Sequence, residues 1–272
     1  KPKLDGPLGS ATSRHPGAAN KPRTLESYLG NRGMQAAAAN EPADTLTLTH
    51  FWFKAWPDHG VPAEINGFKN FIQMVYNDII RIGGNTIIHC SAGVGRTGVV
   101  YVVLCLLFQF GINPAADNWS NRDITPLLIL DTIRNARQTR MLLVQTFDQY
   151  LFICRCFGVN GEPFQPDYNG LPTVNVSADP RITIAKTPQN NPKNRYRDIL
   201  PFDTNIPLVP GPNNPEGYIN ASLASCPNCR DSFILAQCPH TAETIQDFRD
   251  MIMQYQVRRI VMVTGLVERG RP

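Results

Sequence analysis

Residues 85–110 read NTIIHCSAGVGRTGVVYVVLCLLFQF. The run NTII (85–88) has the apolar, β-branched character of a short buried strand ending at His89. Three glycines follow within the next turn and its exit, at 93, 95 and 98, and a helix starts near Arg96. Residues 99–110 are apolar on every face, so this helix reads as a core element, and it is too short to cross a bilayer. A strand that ends in a glycine-rich turn and opens a fully apolar helix must be covered on all sides. The rest of the chain therefore has to supply packed layers around it.

The remaining pattern supplies them. DTLTLTHFWFKAW (44–56) alternates like a strand. Phe68, Phe71, Ile72, Val75 and Ile79 fall on one helical face across 66–82, and Gly83-Gly84 stops that helix. Helices are predicted over 124–137, 146–157 and 241–256. YINASL and SFILAQ form a candidate strand pair after 217, and RRIVMVT (258–264) is a further strand. Strands and helices are mixed throughout, which places the chain in the α/β or α+β class. Residues 1–45 read as a flexible or divergent segment, and the proline-rich stretch 158–192 reads as a linker.

A net charge of +4 is too mild to indicate nucleic acid, though it tolerates an anionic substrate. No stretch is long and apolar enough for a membrane span, and the first residues show no secretory pattern. Seven cysteines without framework spacing point to a reducing, cytoplasmic setting. CPNC (226–229) reads as a turn carrying two thiols, Cys226 and Cys229, because no second ligand pair stands at metal-site spacing; half a zinc site and a redox pair are the alternatives. No metal and no cofactor is implied.

The stretch HCSAGVGRTG (89–98) carries the chemistry. Glycines allow successive backbone N–H groups of Ser91, Ala92, Gly93, Val94 and Gly95 to point into one concavity, an anion nest, and the following helix adds its positive end. Such a site favours a thiolate and also holds a phosphate dianion. Arg96 can grip two phosphate oxygens with its planar fork, which leaves Cys90 placed as a nucleophile beneath phosphorus. Thr97 can donate a hydrogen bond to the sulfur.

HCSAGVGRTG resembles the signature loop of the protein tyrosine phosphatases. WPDHG (56–60) resembles that family's mobile acid loop, QTFDQY (145–150) its glutamine loop and KNRYRD (193–198) its phosphotyrosine-recognition loop. GYINASL, FILAQCP and VMVTGLVERG resemble the neighbouring strands and the approach to its glutamate loop. The resemblance implies the phosphatase fold, a central mixed twisted sheet flanked by helices. It implies hydrolysis of protein phosphotyrosine through a cysteinyl-phosphate, with Asp58 as general acid and then base. Gln145 and Gln149 would position water, Tyr196 would flank the substrate ring, and Asp198 would anchor the peptide backbone. Glu268 would hold Arg96, Trp56 would act as the hinge of the acid loop, and His89 would order the signature loop by hydrogen-bonding backbone. The implied partners are phosphotyrosine proteins or peptides and phosphate- or vanadate-like anions, acting on a monomer. Arg197 reads as solvated surface, with a preference for acidic flanking residues as the alternative. The rival functions are a dual-specificity phosphatase and a phosphotyrosine-binding pseudophosphatase; Tyr196 argues against the first, and intact Cys90, Arg96 and Asp58 against the second.

The order of these motifs departs from the family pattern, in which the recognition loop precedes the cysteine. A fragment spanning two tandem domains and a single circularly permuted domain both account for it. Each motif occurs once, and the segments beyond Glu268 and before Trp56 together match the family spacing. One domain over 1–272 is therefore expected, built from 46–157 and 193–272 and joined by the linker, which should run over the surface far from the cleft.

Overall fold

The computed structural model describes residues 45–57, 60–115 and 119–266. Its centre is a five-stranded sheet. The strands are β1 (Thr49–Trp52), β2 (Asn85–His89), β3 (Ala221–Ser225), β4 (Ser232–Ala236) and β5 (Val257–Met262), in the order β1-β5-β2-β4-β3. β2 runs parallel to both β5 and β4, and only the β3–β4 pair is antiparallel. The expected α/β class with a mixed sheet flanked by helices is what the fold shows. Every residue of β2 is buried, including the polar Asn85, Thr86 and His89, which is why the strand shows no alternation of apolar and polar residues.

Four helices come from the first segment: α1 (Ile65–Ile82), α2 (Gly95–Phe110), α3 (Pro126–Thr139) and α4 (Phe147–Cys156). A short α5 (Gln165–Asn169) follows, and α6 (Ala242–Gln254) lies between β4 and β5. α2 is buried from Gly95 through Phe108, the central position its all-round hydrophobicity requires. Thr125, Thr146 and Thr241 each accept a backbone hydrogen bond at the start of the following helix, so these starts are set by local capping. The alternating stretch 44–56 is strand only over Thr49–Trp52.

Two features of the assembly come from the tertiary structure alone. β2, from the first segment, is flanked on both sides by strands from the second: His89 stands opposite Ala236 and Met262. The stretch 158–192 is also more than a tether. It forms short helical turns and buries Leu171, Ile182 and Ala185. The latter two belong to a second apolar cluster with Met141, Leu200, Phe202, Ile206 and Tyr218. Arg259 on β5 is fully buried against Asp78 (3.0 Å) and donates to the Gly83 and Gly84 carbonyls, closing the end of α1 that the double glycine terminates.

Candidate active site

The cysteine loop leaves the carboxyl end of the central strand β2 and leads directly into α2. Cys90 is buried, and its Sγ accepts a hydrogen bond from Gly93 N–H at 3.2 Å. The loop is pinned from several sides. Ser91 O accepts from Cys238 N–H (3.0 Å), Val94 O accepts from Val144 N–H (3.2 Å), and His89 O accepts from Val263 N–H (3.0 Å). Gly93 has φ +73°, and a Cβ there would lie 2.3 Å from Ala236 O, so this position requires glycine on both counts. α2 begins at Gly95 without a side-chain cap, which leaves its first N–H groups available to a bound group. Arg96 is the second residue of this helix and is largely buried.

The residue that orients the loop is Arg140, which sequence reasoning did not single out. Fully buried, it donates from Nε to Gly93 O (2.8 Å) and from Nη2 to Ala92 O (3.1 Å). It is held in turn by Asn220 Oδ1 (2.8 Å) and Ser222 Oγ (3.3 Å). With both carbonyls drawn to one cation, the corresponding amides can face the opposite side, the arrangement an anion nest needs. Burial pushes the Arg140 guanidinium down to about 10, with the Tyr218 hydroxyl and Cys90 opposing the shift, so it remains charged at neutral pH. In the sequence Arg140 looks like an ordinary cation at a helix end, and no local signal marks it. Arg140→Met should lower kcat/KM about 10²-fold, the scale set by an ångström of misplacement. Steady-state kinetics on an aryl phosphate would check this, and an unchanged kcat/KM would remove Arg140 from the positioning of the loop.

The glutamine loop meets the cysteine loop at Gly95. A Cβ on Gly95 would lie 2.9 Å from Gln149 Nε2 and 3.3 Å from Gln145 Oε1, so both side chains reach the mouth of the nest. Gln145 N–H donates to Gln149 Oε1 at 2.8 Å. Just before them, Val144 is held at φ +56°, a strained conformation for a β-branched residue. Its carbonyl accepts from Arg137 Nη2 (2.9 Å) and from Tyr168 OH (2.7 Å). Tyr168 belongs to 158–192, so the expectation that this stretch runs far from the cleft is corrected: its tyrosine props the residue beside Gln145.

The recognition loop is brought to the cysteine across 105 residues of sequence, with Tyr196 OH 2.8 Å from Ser91 Oγ. A buried polar network fixes it. Gln237 accepts from Arg195 N–H (3.0 Å) and donates to Lys193 O (2.7 Å). Lys193 pairs with Asp247 (3.0 Å) and Glu243 (3.2 Å), and Asn194 Oδ1 accepts from Asn220 Nδ2 (2.9 Å). Arg197 and Asp198 are exposed beyond it. Trp56 is buried among Phe53, Phe68 and Phe152 and donates to Gly60 O at 3.2 Å. That bond joins residues on either side of Asp58 in the sequence. Asp58 and His59 lie outside the described residues, as does Glu268.

One expectation for the loop is corrected. Thr97 Oγ1 is buried without a hydrogen-bond partner and does not reach the sulfur. His89 packs edge-on against Phe248 (5.7 Å), and its imidazole also meets the Cys90 backbone. Burial pushes its imidazole down to about 4, with repulsion from His50 acting the same way and the Cys90 backbone opposing. An unfolded histidine titrates near 6.5. Because the folded value is depressed, His89 contributes stability that is present above about pH 6.5 and lost as pH falls through about 4. The gap corresponds to roughly 3 kcal/mol. The Tm should therefore fall between pH 6.5 and 4, and His89→Gln should flatten that part of the profile; an unaltered slope would assign it to other groups.

The sequence profile of the protein-tyrosine phosphatase domain matches residues 19–158 and 190–272. Among curated proteins, the chain is 29% identical over 255 residues to the human receptor-type tyrosine-protein phosphatase alpha, covering 82% of this chain and 30% of that protein. It is 30% identical over 270 residues to a tyrosine-protein phosphatase Lar-like of Caenorhabditis elegans, covering 88% of this chain and 12% of that protein. The chain thus spans less than a third of the length of these relatives. A profile matching most of the chain on either side of 159–189, with segments 145–149 and 193–198 meeting the cysteine loop at Gly95 and Ser91, leads to one conclusion: the chain belongs to the protein-tyrosine phosphatase family.

Proposed function

We propose that this chain is a protein-tyrosine-phosphate hydrolase working through a cysteinyl-phosphate. The observation that carries this reading is the posture of the cysteine loop. Its Ala92 and Gly93 carbonyls turn to buried Arg140, while Gly93 N–H turns to Cys90 Sγ. A phosphate dianion seated against the amides of Ser91–Arg96 and gripped by Arg96 would present phosphorus to the thiolate of Cys90. Sulfur attacks phosphorus, the bond to the phenol oxygen breaks, and Asp58 delivers the proton that oxygen needs. Water positioned by Gln145 and Gln149 then loses a proton to Asp58 and attacks phosphorus, releasing phosphate and restoring the thiolate.

Tyr196 gives the cleft its depth in this reading, and Asp198, exposed on the rim, binds the peptide backbone. Tyr196→Ala should lower the ratio of kcat/KM for phosphotyrosine over phosphoserine peptides by about 10-fold or more, the worth of one aromatic ring pair. A ratio that stays put would sink the assignment.

Residues 46–157 and 193–272 act in this reading as one catalytic unit and a monomer. The interleaving of β2 between β4 and β5 supports this. We place the unit in a reducing, cytoplasmic compartment, in keeping with seven cysteines that form no disulfide. Among the described residues, no helix is long and apolar enough to cross a membrane. The deciding assay is p-nitrophenyl phosphate hydrolysis across a sizing column. Vanadate-sensitive activity should coincide with the monomer peak. Activity confined to larger species would overturn the single-unit reading, and its absence from every fraction would overturn the enzyme.

A further inference from the structure

CPNC has no part in the phosphatase chemistry, yet the fold gives it neighbours. The turn between β3 and β4 brings Cys229 N–H to Cys226 O (3.2 Å), and Asn228 adopts φ +57° within it. Residues related by such a turn have Cα atoms within about 7 Å, the span a disulfide bridges. The turn is fastened to α2 at two points: Asn228 Nδ2 donates to Gln109 O (3.1 Å), and Tyr101 OH donates to Ser225 O (2.7 Å). This brings Cys226 into thiol contact with Cys105 of α2 on one side and with Cys229 on the other. Cys105 and Cys226 are buried, whereas Cys229 is half-exposed. Among the described residues, no three His, Cys, Asp or Glu side chains are disposed to hold a metal ion.

We propose that Cys226 and Cys229 form a two-electron dithiol–disulfide site, separate from the catalytic cysteine, that reacts with hydroperoxides. Cys229 is the attacking thiol because it is the exposed member, and the neighbouring Cys226 thiol draws its titration below the ordinary range. Cys226 is the resolving thiol, pushed up by hydrogen bonding to Cys105 and then to Cys229. Elsewhere, burial pushes Cys154 up to about 11 and Cys156 up to about 12, which leaves both inert by comparison. The steps balance. The Cys229 thiolate attacks a peroxide oxygen, the O–O bond breaks, and with one proton the products are a sulfenic acid and water. Cys226 then attacks the sulfenic sulfur and a second water leaves. Two thiols are oxidised to one disulfide, and one hydrogen peroxide is reduced to two waters.

The sequence makes the site separately readable. Trypsin releases Asp198–Arg230 with Cys226 and Cys229 as its only cysteines, and Thr97–Arg122 with Cys105 alone. The reduced chain is treated with stoichiometric hydrogen peroxide, alkylated, digested and weighed. The expected result is that Asp198–Arg230 escapes both alkylations and regains both after dithiothreitol. Cys229→Ser should abolish that escape, and Cys105→Ser should leave it intact. Equilibration of the unsubstituted chain in glutathione redox buffers, read on the same peptide, tests the site without any variant and should show one two-electron transition. The proposal is overturned if the peptide stays alkylated at both positions, or if it is found cross-linked to Thr97–Arg122. It is also overturned if protection is reversed by a zinc chelator rather than a reductant. None of these readouts depends on phosphatase activity.

Discussion

Cys90→Ser is expected to abolish turnover, by roughly 10⁴-fold or more, while the protein continues to bind phosphate and vanadate. The serine hydroxyl would stand in the same bowl, with the Ala92 and Gly93 carbonyls still drawn to Arg140, so the anion site survives. What is lost is the nucleophile, because a serine hydroxyl is not ionised at neutral pH. Single-turnover phosphate release measures the chemistry, and calorimetric titration with phosphate measures the site. Residual turnover near the unsubstituted rate would remove Cys90 from the mechanism. Loss of anion binding together with activity would show that the loop itself had collapsed.

Asp58→Ala should lower kcat by about 10²–10⁴-fold with little change in substrate affinity, since a proton delivered in the transition state contributes nothing to the ground-state complex. The dependence on the leaving group is the sharper test. Aryl phosphates whose phenolate departs without help should lose least, and poor leaving groups most. The rate profile against pH should be bell-shaped in the unsubstituted protein and lose its alkaline limb in the variant. Equal losses across all leaving groups, with the limb retained, would assign the acid elsewhere. Trp56 is buried among three phenylalanines, and its indole bonds to Gly60 O, so the described residues on either side of Asp58 in the sequence are tied together.

How far the site could be read in advance differs from residue to residue. Cys90, the glycines after it and Arg96 are legible because their chemistry is local: one strand, one turn and one helix start, contiguous in the chain. Tyr196 is legible only as a resemblance, since nothing in KNRYRD says that it will lie 2.8 Å from Ser91 Oγ. Arg140 and Tyr168 were not legible. Each acts by donating to a backbone carbonyl of another segment, and a carbonyl has no letter in the sequence. The strain at Val144 is invisible for the same reason: a valine at φ +56° looks like any other until its neighbours hold it there.

By itself the sequence determined the elements and the reactive groups. Periodicity and capping place α1, α3, α4 and α6, the short β-branched run Thr86–Ile88 marks β2 as a buried strand, and the glycines of 93–98 demand a tight turn at its end. Tertiary structure decided which strands flank β2, which residues turn the loop carbonyls away from the bowl, and that the proline-rich stretch is folded rather than a tether. The physical reason is range. Helix periods, caps and turns are settled by neighbours a few residues apart, where the chain carries its own partners. Pairing His89 with Ala236 and Met262, or Arg140 with Ala92 and Asn220, requires closing long loops, and only the summed burial of the whole core selects one such closure over the others.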